Sequence, residues 1–105
     1  MISKRVFLFF IIIFSLSITS CKKEERAVWV VRFDLQTEDN VKKIVKNTKA
    51  AGFDTIIAQV YGRGDAYYDS YIAPRTETLE DQPEDYDPLK TIIEESKKNG
   101  LKVHA

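Results

Sequence analysis

The sequence contains little of what metal centres and histidine-dependent catalysis require. Its 105 residues include one cysteine and one histidine. Structural zinc needs four nitrogen or sulfur ligands, and serine or cysteine nucleophiles usually need a neighbouring histidine. We therefore expect no metal site and no such nucleophile arrangement. A single cysteine also excludes a disulfide within the chain.

The sequence also lacks an excess of charge and the glycine-rich loops that bind phosphate. Sixteen basic residues balance sixteen acidic ones, so no net field favours nucleic acid as a partner. The first strand pattern is followed by Asp34-Leu35-Gln36 rather than a glycine-rich turn, and Gly62-Arg63-Gly64 lacks the third glycine of a dinucleotide fingerprint. We expect neither a nucleic-acid partner nor a nucleotide cofactor.

The amino terminus is typical of a secretory signal peptide over residues 1–20. Lys4 and Arg5 precede an apolar run at 6–14, which is too short to span a bilayer, and a small and polar stretch then leads to Cys21. Ile18-Thr19-Ser20-Cys21 resembles the bacterial lipobox. That resemblance implies acylation of Cys21 and a charged tether over residues 21–26, with an ordinary cleaved signal as the alternative.

The lipobox resemblance also predicts where the protein resides. It implies a membrane-anchored lipoprotein of the cell envelope. Lys22 stands where some bacteria place an aspartate that retains lipoproteins in the inner membrane. The outer membrane or cell surface is therefore favoured.

The rest of the chain alternates strand and helix patterns. Strands are predicted at 27–33, 55–60 and 101–105, with helices between Thr37 and Gly52 and between Asp87 and Asn99. This order predicts an α/β fold with a parallel sheet, either part of an eight-stranded barrel or a doubly wound sheet. The expected inward positions of the helices are Val41, Ile44, Val45, Thr48, Ala51, Leu89, Ile92, Ile93 and Ser96.

Polar and aromatic residues follow the second strand, at the sheet edge where α/β enzymes bind ligands. Arg63 and Asp65 can donate to and accept from a polyhydroxylated ligand, and the tyrosines offer flat apolar faces to sugar rings. Asp65 could instead cap a turn or pair with Arg63, and Gln59 could satisfy backbone groups. The candidate substrate-binding residues are Gln59, Arg63, Asp65, Tyr67, Tyr68 and His104.

Several blocks of the sequence resemble the glycosyl-hydrolase-like family 10 domain. They are Arg26-Ala27-Val28-Trp29-Val30, Gln59-Val60, Gly62-Arg63-Gly64-Asp65-Ala66-Tyr67-Tyr68, Pro74-Arg75, Tyr86-Asp87-Pro88-Leu89 and Gly100-Leu101-Lys102-Val103-His104-Ala105. The resemblance implies a (β/α)₈ barrel that cleaves glycosidic bonds in envelope or other polysaccharides. One departure is Tyr61, where many relatives have an arginine.

The resemblance also implies that residues 27–105 are an amino-terminal part of such a barrel, which usually exceeds about 250 residues. Glycoside hydrolysis needs two carboxyl groups, and in barrel hydrolases these usually come from later strands, so no catalytic residue is expected here. The alternative is a non-catalytic envelope lipoprotein that binds sugar or a protein through the tyrosine-rich loop. We expect Trp29 to pack internally, and Val28, Val30 and Ile57 to lie on uncovered apolar faces.

Overall fold

A computed structural model of the protein describes residues 3–10 and 24–105. The predicted cleavage site, Cys21 and the start of the tether lie outside the described residues. In chain order the elements are α1 (residues 4–10), β1 (Ala27–Val30), a 3-10 helix (Arg32–Leu35), α2 (Glu38–Ala50), β2 (Thr55–Ala58), β3 (Tyr61–Gly62), β4 (Asp65–Ala66), a second 3-10 helix (Glu77–Leu79), α3 (Pro88–Lys98) and β5 (Lys102–His104). Within these residues, no helix combines the length and apolarity that crossing a membrane requires.

The main sheet is parallel and its strands follow the order β1-β2-β5. Val28 pairs with Ile56 and Ile56 with Val103, while Trp29 pairs with Ile57 and Ile57 with His104. The helix α2 connects the first two of these strands, and α3 leads into the third. The predicted α/β fold with a parallel sheet is confirmed.

The ends of both long helices follow from local sequence. The Thr37 Oγ1 atom accepts a hydrogen bond from the Asn40 backbone N–H at 3.2 Å, and Asp87 Oδ1 accepts one from the Lys90 N–H at 2.9 Å. These bonds satisfy amide groups that would otherwise lack partners at the helix starts. Gly52 and Gly100 follow the helices with φ of 84° and 70°, a conformation that glycine adopts without steric penalty.

The two helices pack against one face of the sheet and against each other. The core on this face contains Ile56 from β2, Val41 and Val45 from α2, and Ile92 from α3. The prediction that Val28 and Val30 would be uncovered is wrong, because their alternation with Trp29 directs them toward this core. Two expected inward positions are exposed: Ala51, which lies just past the end of α2, and Ile93 of α3.

The other face of the sheet is open among the described residues. Trp29, Ile57 and His104 form a row across it, and Trp29 is 60% exposed. The packing role expected of Trp29 is therefore not present in this structure. Ile57, which is expected to lie on an uncovered apolar face, does share the open face with Trp29, because strand alternation decides which face each residue takes.

The long connection between β2 and α3 is ordered by short elements. A hairpin of β3 and β4 is followed by the second 3-10 helix, and Tyr86 anchors the segment by donating from its hydroxyl to the Leu35 carbonyl at 2.8 Å. The first predicted strand ends at Val30 rather than at 33 because Arg32–Leu35 turns into a 3-10 helix. That turn brings Arg32 toward the hairpin.

Candidate functional site

A polar cluster lies directly beyond the carboxyl ends of β1 and β2. Arg32 is buried, and its Nη1 atom donates to the Gly62 carbonyl at 2.7 Å and pairs with Asp65 Oδ1 at 3.1 Å. The side chain of Gln59 completes the cluster, since its Oε1 accepts from the Arg32 backbone N–H at 3.4 Å. The buried guanidinium is thereby paired with a carboxylate and a carbonyl, as a buried charge requires.

The β3–β4 hairpin places Asp65 against Arg32. Its two-residue turn is Arg63-Gly64, with φ of 59° and 80°. Positive φ at both positions is the geometry of a type I′ turn, which matches the twist of the flanking strands. The expected alternative, an Arg63–Asp65 pair, is not present: among the described residues the ionic partner of Asp65 is Arg32.

A close approach at Gly62 explains why the hairpin can lie on the arginine. A Cβ atom at Gly62 would stand 3.1 Å from Arg32 Nη1 and 3.5 Å from Gln59 Nε2. The first distance is tighter than most real contacts of a Cβ atom, whereas the second is an ordinary van der Waals contact. The absence of a side chain at residue 62 therefore allows the guanidinium to reach the carbonyl and Asp65 together.

Beside this cluster lies a cleft of about 500 Å³, which we call the arginine cleft. Tyr67 closes its floor: the ring is fully buried, and its hydroxyl bonds Thr78 Oγ1 at 2.6 Å. The expectation that the Tyr67 ring offers a flat face to sugar is therefore wrong for this structure, because core packing occupies that ring. The residues lining the cleft are Arg32, Phe33, Arg63, Gly64, Asp65, Tyr67, Pro74, Arg75, Thr76, Glu77 and Thr78.

The six residues predicted from sequence do not form one set. Arg63, Asp65 and Tyr67 line the arginine cleft, and Gln59 contacts Arg32 behind it. Tyr68 is half-buried and lines a neighbouring cavity of about 380 Å³. His104 is exposed on the open face of the sheet and is not part of the cleft lining.

Sequence reasoning missed Arg32, Phe33, Arg75, Thr76, Glu77 and Thr78. Arg32 had a detectable signal, because it is a single charge inside the otherwise apolar run at 27–33. Arg75 contributes by holding the loop, since its guanidinium donates to the carbonyls of Tyr86 at 2.7 Å and Pro83 at 3.0 Å. The threonines carry no pattern that distinguishes them from ordinary loop residues.

A second cleft, of about 480 Å³, lies beside the amino termini of α2 and α3, and we call it the acidic cleft. The pKa of the Tyr86 phenol is raised to about 12, chiefly by burial and also by the nearby Glu38 and Asp87 carboxylates. The described residues contain no group of three or more His, Cys, Asp or Glu side chains placed to hold a metal ion. The charged residues of the lining are Glu38, Asp39, Asp85, Asp87, Lys90 and Glu94.

Comparison with known proteins identifies the family of the chain. The family described as glycosyl hydrolase-like 10 matches residues 24–105, which include every strand of the main sheet and both clefts. The chain belongs to this family. The resemblance stated from the sequence blocks is thereby confirmed, and the chain is related to glycosyl hydrolases.

The chain is also similar to one curated protein that is much longer. The chain is 30% identical over 98 residues to glycosyl hydrolase YngK of Bacillus subtilis (strain 168). The match covers 79% of this chain but 19% of that relative. The chain therefore spans about a fifth of the relative's length.

Proposed function

We propose that this chain supplies one wall of a glycan-binding cleft in a larger glycosyl hydrolase-like protein of the cell envelope. The observation that carries the proposal is the Arg32–Asp65 pair, held by Gln59 and Gly62 at the carboxyl ends of two parallel strands. Ligands of parallel α/β sheets bind at this edge. Family membership supplies the class of ligand.

The chemistry of the arginine cleft supports a polyhydroxylated ligand. Asp65 gives one carboxylate oxygen to Arg32 and keeps 29% of its side chain exposed, so it can accept hydrogen bonds from sugar hydroxyls. Arg63 is exposed and offers donors. Phe33 is exposed beside the cleft and presents an aromatic face.

The arrangement of the elements supports a barrel as the complete architecture. The strands are in sequential order and both helices cover one face, which is how a singly wound barrel is built. A doubly wound sheet would place helices on both faces. We propose that further strands complete the barrel on the side of the open face, and that the carboxyl pair for hydrolysis lies in the part of the relative's length that this chain does not match.

Binding to the cleft can be tested by titrating the isotopically labelled chain with neutral and acidic tetrasaccharides. We expect amide shifts at residues 61–66 and weaker binding by Asp65→Asn. Asparagine keeps an acceptor for Arg32, whereas alanine would leave the buried guanidinium unpaired. Glu38→Gln in the acidic cleft is the control and should bind normally. Shifts confined to the acidic cleft or the open face would contradict the proposal.

Membrane anchoring needs a separate test because Cys21 lies outside the described residues. We propose that the Cys21 thiol is acylated and holds the protein at the envelope. Labelled palmitate should be incorporated by the native sequence and not by Cys21→Ala, which should leave the membrane fraction. Equal incorporation by both would show that the anchor is elsewhere or absent.

The alternative of a non-catalytic binding module also has an observation in its favour. Tyr71 and Ile72 are both fully exposed at a turn fixed by Ser70, whose Oγ accepts from the N–H groups of Ile72 and Ala73 at 3.1 Å. An ordered apolar tip of this kind is suited to contact with another molecule. If Tyr71→Ser with Ile72→Ser abolishes glycan binding while Asp65→Asn does not, the tyrosine-rich loop is the binding element.

A further inference from the structure

Arg63 has a backbone conformation that its side chain does not favour. It is the first residue of the type I′ turn and has φ of 59°. The left-handed region brings Cβ close to the following carbonyl oxygen, so glycine, asparagine and aspartate dominate this position. Within residues 3–10 and 24–105, no other non-glycine residue has positive φ. The turn geometry therefore does not explain the choice of arginine.

The guanidinium of Arg63 also lacks a partner within the described part of the chain. The side chain is exposed and lines the arginine cleft, and it makes no hydrogen bond or ion pair with another described residue. The other two arginines of the cleft are engaged: Arg32 with Asp65 and Gly62, and Arg75 with two backbone carbonyls. Arg63 is thus the cleft cation whose donors are open to a ligand.

The charge of the lining is positive in a chain of zero net charge. Three arginines face two carboxylates, Asp65 and Glu77, and the Asp65 carboxylate is already paired. A guanidinium binds a carboxylate through two parallel N–H···O bonds, a geometry that an ammonium or an amide does not reproduce. An anionic group on the ligand would therefore find an unpaired, correctly shaped donor.

We propose that Arg63 selects sugar units that carry a carboxylate, with its guanidinium binding that group in the arginine cleft. The inference rests on the proposed glycan-binding function and adds a charge preference to it. Arg75, which lines the same cleft, contributes a second positive charge while keeping its loop contacts. Asp65 then accepts from hydroxyls of the same or the next sugar unit.

The test compares ligands that differ only in charge. The labelled chain is titrated with hyaluronan and galacturonan tetrasaccharides, each as the free acid and as the methyl ester. We expect the acids to bind about tenfold more tightly than the esters at low salt, an advantage that salt reduces because the contact is exposed. Arg63→Gln should remove the preference, whereas Arg63→Lys should retain part of it.

The outcomes separate this inference from the function on which it rests. If acids and esters bind equally to the native chain, glycan binding stands and the charge preference is wrong. If neither form of either sugar binds, the proposed function itself fails. Lys43→Gln removes one exposed positive charge from α2, outside the cleft, and should keep the preference for acids. Loss of preference in Lys43→Gln would show that overall charge, and not Arg63, is responsible.

A stability measurement tests whether Arg63 serves the ligand or the fold. Arg63→Asn places the favoured residue at this turn position, so we expect a higher urea midpoint together with loss of the preference for acids. A lower midpoint would show that the arginine stabilises the hairpin and would overturn the argument from its conformation. Heteronuclear spectra of the variant check that the β3–β4 hairpin is retained.

Discussion

The arginine cleft and the acidic cleft lie at the same end of the sheet and carry opposite charge. The acidic residues have a structural explanation: Glu38 and Asp39 occupy the first turn of α2, and Asp87 caps α3, where negative charge is stabilised by the helix dipole. Arg63 in the arginine cleft has no such explanation, because the first position of a type I′ turn favours glycine, asparagine and aspartate. A charged residue therefore indicates function only when no helix, strand or turn requires that charge at its position.

The largest expected effect is on the ion pair that organises the arginine cleft. Arg32→Met removes two charge-assisted hydrogen bonds, one to Asp65 and one to the Gly62 carbonyl, and we expect the free energy of unfolding to fall by about 3 kcal/mol. Adding Asp65→Leu should recover part of this loss, because both charges are then removed. Urea denaturation of the single and double variants measures the coupling.

The control for this prediction is an exposed ion pair of similar length. Lys42 and Glu38 lie 3.2 Å apart beside the acidic cleft, and both side chains are largely in solvent. Glu38→Gln should therefore change stability far less than Arg32→Met. Equal effects would contradict the view that only the arginine cleft depends on a buried pair.

The second prediction concerns alkaline pH and the acidic cleft. The pKa of Tyr86 is raised to about 12, so the folded state keeps the phenol proton that the unfolded chain releases near pH 10. This contribution is complete below about pH 10 and is lost as pH rises toward about 12, a change on the order of 2 kcal/mol. Tyr86→Phe should flatten that part of the stability profile, measured by urea midpoints at each pH.

Tyr86→Phe should also lower stability at neutral pH by about 1 kcal/mol, because the Leu35 carbonyl loses its hydrogen bond. The stability of the native protein falls as Tyr86 ionises, whereas Tyr86→Phe lacks this loss. The two stability profiles should therefore converge as pH rises above about 10. Profiles that remain parallel up to about pH 12 would show that Tyr86 is not the group responsible.

The smallest predicted effect tests the structural explanation of the acidic cleft. Asp87→Ala removes the acceptor for the N–H groups of Lys90 at 2.9 Å and Asp69 at 3.2 Å, and should lower stability by about 1 kcal/mol. Asp87→Asn keeps the cap and should be milder. If both substitutions instead raise stability by relieving repulsion, the claim that the acidic residues stabilise the helix starts is wrong.

The repeating units of the fold could be predicted because their signals are local. A capping residue and a glycine bracket each helix, so Thr37 with Gly52 and Asp87 with Gly100 define the helices within a few residues. The parallel sheet follows from their alternation with apolar strands. The predicted ends of the strands are less accurate, because a 3-10 turn such as Arg32–Leu35 gives no strong sequence signal inside an apolar run.

The candidate site could be predicted only in part because its contacts are distant in sequence. Arg32 and Asp65 are separated by 33 positions, and neither residue type specifies the other as its partner. Adjacent tyrosines likewise give no indication of which one is buried: Tyr67 joins the core, and Tyr68 lies half-exposed beside another cavity. Tertiary packing decides these roles.

The row across the open face of the sheet has an optical consequence. Trp29 is the sole indole in the sequence and stands in solvent beside Ile57 and His104. Its fluorescence should therefore be red-shifted and accessible to quenchers such as acrylamide, with no second indole to obscure the tryptophan signal. A blue shift with loss of quenching would report directly, without any label, that another surface has come to rest on this side of the strands.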